Sequence, residues 1–139
     1  MLDRDTFESW HSKKQRSYAE RMYSVVRKEV LEDFRDAGQW RDKTGGVREV
    51  THHCWEKGMG GAIPLWYYFQ KDNLIPWSDA MHKTFHDVSR DKWTDAQKWE
   101  AELAEVMKQD MIEDNKIYYA VQISQSFDSV ADVIKKLGK

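Results

Sequence analysis

Cysteine is almost absent from this chain of 139 residues: Cys54 stands alone, so no internal disulfide is possible. A lone thiol suits a reducing compartment or a particle assembled inside a cell. Charge of one sign is lacking too. The 22 Lys and Arg against 24 Asp and Glu leave a formal charge of −2, which gives no global basic field for gripping DNA or RNA. No apolar run approaches the roughly 18 residues needed to cross a bilayer, and the opening "MLDRDTFESW" has no apolar signal core. The expectation is a chain soluble and intracellular at synthesis, with neither a membrane nor a specific nucleic-acid sequence as its partner.

Aromatics are abundant, with seven Trp, six Tyr and five Phe. Trp and Tyr are favoured interface anchors, so a partner surface and a core of bulky residues are both open readings. The length is that of one ordinary domain, able to bury a core without disulfides or metals, and no repeat or linker divides residues 1–139.

The hydrophobic periodicity sketches the elements. Asp5 and Glu8 have capping-box spacing. From Tyr18 onward, Met22, Val25, Val26, Val30 and Phe34 recur in steps of three and four, a buried helical stripe that Gly38 stops near Ala37. Thr44, Gly45 and Gly46 offer a turn, after which residues 47 to 55 alternate as in a strand. Gly58, Gly60 and Gly61 predict a hairpin or loop. The run "AIPLWYYFQ" predicts a buried or edge strand limited by Pro64. Pro76 predicts a helix start, with Trp77, Met81, Phe85 and Val88 inward. The pair Thr94 and Gln97 predicts another, with Ala96, Trp99, Leu103, Val106, Met107 and Met111 inward. Ile117, Tyr119, Val121 and Ile123 alternate in "KIYYAVQIS" as in a half-buried strand, and "FDSVADVIKKLGK" completes the chain as a short helix. The sum is one α+β domain: a long N-terminal helix, a small antiparallel sheet, and further helices in the middle and at the C-terminus.

Few residues stand in a pattern that carries chemistry. His82 and His86, four apart on a helix, share a face, with Asp79 one turn upstream; two imidazoles and a carboxylate suit zinc. The spacing alone is not diagnostic, because any two residues at i and i+4 meet, and "MHKTFH" is not the HExxH motif. Two exposed or partly packed histidines are therefore the expectation, with no metal or cofactor assigned. In "THHCW", His52 and Cys54 share one strand face while His53 leaves on the other. Neighbours about 7 Å apart along a strand make a poor nucleophile–base pair, so a buried Cys54 is expected. The glycines lack phosphate-loop spacing, and the Lys13, Lys14 and Arg16 cluster is diluted by interleaved acids such as Glu20 and Glu29. No catalytic constellation emerges.

The order of a long amphipathic helix, then Trp40, Asp42, Thr44, Gly45 and Arg48, then a strand resembles the junction in the head–tail joining, or tail-completion, family of long-tailed bacteriophages. The segment "IYYAVQIS" with its following helix resembles that family's closing strand and terminal helix. The likeness spans residues 15–55 and 115–138, with the helices from Pro76 to Ile112 as an insertion. It implies a non-enzymatic subunit of the virion neck, made in the host cytoplasm, that assembles as a homo-oligomeric ring and joins portal or adaptor to tail-tube or tail-terminator proteins. On this resemblance Trp40, Arg48, Trp55, Trp66, Tyr67 and Tyr68 are the expected interface residues, with Arg48 free to pair with Asp42 or a neighbouring subunit. The alternatives are a metal-dependent enzyme using His82 and His86, and a small inhibitory binding module.

Overall fold

A computed structural model describes residues 2–56 and 63–125. The predicted glycine hairpin at 58–61 and the terminal helix from Phe127 lie outside those residues.

The N-terminal helix is two helices. Helix α1, Arg4–Ser9, is capped by Asp3, whose Oδ1 accepts the Thr6 N–H at 2.8 Å. The expected Asp5–Glu8 box does not form, because Glu8 pairs with Arg4 one turn back at 2.8 Å. The chain then extends at Trp10, and His11 caps α2, Ser12–Asp36. An aromatic cluster explains the break: Phe7, Trp10 and Tyr18 meet with ring centroids 5.3–6.0 Å apart, a packing that one straight helix through residue 10 could not place. At the other end Gly38, at φ +75°, stops α2 as its position predicted. Val26 and Val30 are buried, whereas Val25 lies outside the stripe and is exposed.

Strands β1, Val50–His53, and β2, Leu74–Trp77, pair antiparallel, with Thr51 opposite Pro76 and His52 opposite Ile75. Pro76 is thus a strand residue and not a helix start. In a two-stranded sheet each strand has a free edge, where a residue without an N–H loses no ladder bond. Helix α3, Asp79–Asp87, begins three residues after Pro76, capped by Ser78, whose Oγ accepts the Met81 N–H at 3.2 Å.

Two further expectations are corrected. Residues Leu65–Phe69 form a 3₁₀ turn instead of a strand, with Pro64 accepting the Tyr67 N–H at 3.0 Å. Three-residue periodicity sends Phe69 toward Phe7 and Ala19 of the N-terminal helices, and Tyr67 toward Met111 and Ala104 in the opposite cluster. The stretch 117–124 is not a strand but the end of α4, Asp95–Gln125. From Asp114 onward the inward face of that helix is polar. Asp114 accepts from the Tyr67 hydroxyl at 2.7 Å, Asn115 from Arg4 at 2.7 Å, and Asp5 accepts from Tyr118 and from Gln122. Positions 111, 114, 115, 118 and 122 are one helical face, while Ile117, Tyr119 and Val121 point to solvent.

The sheet is sandwiched. Its Ile75 and Trp77 pack with Cys54, Met81, Ala101, Ala104 and Met111, while Leu74 packs against Val26 and Val30 of α2. The fold is α+β, and among the described residues no helix is long and apolar enough to cross a membrane.

Candidate metal centre

Antiparallel pairing places His52 beside α3. Its ring stacks on Trp77, 4.4 Å away and 15° from parallel, and meets the edge of Phe85 at 4.6 Å. His82 and His86, one turn apart on α3, face it with ring centroids at 5.4 and 5.5 Å. One ligand nitrogen from each of the three imidazoles lies within 4.8 Å of the other two, and the Nε2 atoms of His82 and His86 are 3.1 Å apart. A tetrahedral zinc with bonds of about 2.0–2.1 Å holds its donors about 3.4 Å apart, so side-chain rotation of little more than about 1 Å completes the geometry. His86, 43% exposed, has room for it; His52, at 2%, is held by its aromatic neighbours.

The electrostatics favour neutral ligands. Burial, reinforced by the neighbouring His82 and His86, pushes the His52 pKa down to about 3, and burial together with His86 lowers that of His82. Imidazoles that are unprotonated at neutral pH need release no proton to bind a metal. Glu56 borders the cluster: its Oε1 lies 3.3 Å from His52 Nδ1 and 3.7 Å from His86 Nε2. Burial raises its pKa, against the pull of His86 and Lys108. All four side chains line a cavity of about 290 Å³, with Trp55, Ile63 and Tyr68 on its wall.

The other candidates of the sequence settle elsewhere. Asp79 forms an ion pair with Lys83 at 2.9 Å and does not join the imidazoles. Cys54 is buried, its Sγ 3.9 Å from Met107 Sδ, and burial with the nearby Glu56 pushes its thiol up to about 12. His53 leaves on the opposite face, stacked on Tyr68 at 4.6 Å with Nε2 at 3.0 Å from the Tyr68 carbonyl. The one signal for His52 in the sequence was its strand alternation, which could not say what stood across from it.

The Trp40 to Arg48 junction is internally satisfied. Gly45 turns at φ +91°, and a Cβ on Gly46 would lie 2.5 Å from that of Ser78. Asp42 accepts from the backbone N–H groups of Thr44 at 3.0 Å and Ser78 at 2.8 Å, and from the Thr44 hydroxyl. Arg48 is not free for a neighbour: it donates to the Gln39 carbonyl at 3.1 Å, the Pro76 carbonyl at 2.6 Å and Glu100 at 3.4 Å. Of the expected interface residues, Tyr67 is also buried, and Trp55, Trp66 and Tyr68 are half-buried. Trp40 is 55% exposed beneath Arg35, and Trp99, outside that set, is 47% exposed beneath Lys43.

No protein-family model, curated protein or solved structure matches this chain.

Proposed function

We propose that this chain is a metalloprotein that binds one divalent transition ion, zinc by preference, through His52, His82 and His86. The observation that carries this is the convergence of three imidazoles from two elements 30 residues apart in sequence, one of them enclosed by aromatics. Imidazole suits zinc, copper, iron and nickel better than the hard cations magnesium and calcium. Calorimetric titration of chelator-treated protein with zinc tests the reading. One ion per chain is expected, with binding lost in His82→Ala. Zinc heat unchanged by that substitution would sink it.

A second reading, a neck subunit of a long-tailed phage virion, draws support from the exposure of Trp40 within the segment that carries the resemblance. Trp and Arg are the commonest interface anchors, and here Arg35 lies over Trp40 with its guanidinium 5.2 Å from the ring. The helical course of residues 117–124 removes the closing strand from that comparison. Light scattering over a concentration series separates the outcomes. A ring-sized assembly that Trp40→Ala dissociates supports a connector; a monomer at every concentration that joins no portal or tail contradicts it.

A further inference from the structure

Three imidazoles leave a tetrahedral ion one position short, and what fills it decides whether the centre reacts or only binds. We infer that Glu56 is the fourth ligand, so that the centre is closed and the ion serves as a staple between the end of β1 and α3. This inference rests on the three-histidine reading.

The geometry comes first. Glu56 Oε1 stands 3.3 Å from His52 Nδ1 and 3.7 Å from His86 Nε2, close to the donor separation of about 3.4 Å that a tetrahedral ion imposes. The oxygen therefore stands at donor spacing from two of the three imidazoles, and rotation of the Glu56 side chain toward His82 would bring it to a corner of the polyhedron. A carboxylate that served as base to a metal-bound water would instead stand one water further out, in hydrogen-bond reach of that water.

Partners come second. Among the described residues, the ion-pair contacts of Glu56 within 4.0 Å are to the imidazoles of His52 and His86, with no Lys or Arg that near. No Lys or Arg among the described residues touches this half-buried carboxylate, and a divalent ion would supply a cation in direct contact with it. One carboxylate and three neutral rings would leave the closed centre with a net charge of +1.

The sequence arrangement comes third. His52 and Glu56 are four apart, as are His82 and His86. Each pair offers donors from one short segment, so the ion bridges two segments joined through β2. Closing such a loop restricts the unfolded chain, which is how a staple stabilises.

Cobalt(II) is the probe, because its visible absorption separates four-coordinate from five- and six-coordinate centres. The chelator-treated protein is loaded with cobalt and titrated with azide, alongside Glu56→Gln and Glu56→Ala. An intense four-coordinate band indifferent to azide is expected for the unsubstituted chain. Both variants should bind cobalt more than about a hundredfold more weakly, since losing even an outer partner of a ligand costs 10–100-fold, and Glu56→Ala should become azide-sensitive. Circular dichroism confirms that the variants fold.

An unsubstituted centre that shifts with azide and is unchanged by Glu56→Ala would overturn closure while leaving the three histidines in place. A sulfur-to-cobalt charge-transfer band would overturn it too, by making Cys54 the fourth ligand. No cobalt uptake at all would overturn both this inference and the reading beneath it.

Discussion

His52 spans the largest gap between its ordinary behaviour and its place in the fold. Its pKa falls from about 6.5 to about 3, chiefly by burial. Below about pH 6.5 the unfolded chain therefore binds a proton that the folded chain does not. Stability of the metal-free protein should fall as pH drops from about 6.5 toward 3, at up to about 1.4 kcal/mol per pH unit from this residue alone. Urea midpoints measured in chelator across that range check it, and His52→Asn should show a shallower slope. Arg48 makes a second test. Glu100 is fully buried beside it, with burial raising its carboxyl pKa and Arg48 opposing that rise. Arg48→Ala should destabilise by about 3–5 kcal/mol, the cost of leaving a buried charge without its partner. A loss below about 1 kcal/mol in urea denaturation would mean that Arg48 does not hold the Trp40 to Arg48 junction as its hydrogen bonds imply.

Elements with local signals were legible. Thr94 and Gln97 form the reciprocal box that their spacing predicted: Gln97 Oε1 accepts the Thr94 N–H at 2.9 Å, and Thr94 Oγ1 accepts the Gln97 N–H at 3.2 Å. Thr94→Ala should cost about 0.5–2 kcal/mol by calorimetric melting, the usual loss for an N-cap, while Thr94→Ser should cost little. Gly38 likewise marked the end of α2. Elements set by distant partners were not legible. The apolar alternation at Ile117, Tyr119 and Val121 matches a strand, yet the contacts that orient this segment are polar and lie more than 100 residues away in α1. Pro76 fits a helix start as well as an edge strand, and pairing with Val50–His53 decided for the strand. The histidine cluster shared this fate: the His82–His86 pair was visible as helical spacing, but His52 joined it only through the sheet register.

At the scale of the whole molecule, the β1–β2 sheet lies between α2 on one side and α3 and α4 on the other, and the histidine cluster sits where β1 meets α3. An ion bound there in the folded state alone shifts the unfolding equilibrium. At a free zinc concentration about a hundred times Kd the gain is about 2.7 kcal/mol, so the melting temperature should rise by roughly 5–10 °C and return to its starting value in chelator. His86→Ala should abolish the shift. The most direct measurement is native mass spectrometry of the chelator-treated chain after one equivalent of zinc, beside His52→Ala. One ion per chain in the unsubstituted protein and none in the variant is the predicted result. A metal-free spectrum for the unsubstituted chain, or an ion kept by the variant, would contradict the centre.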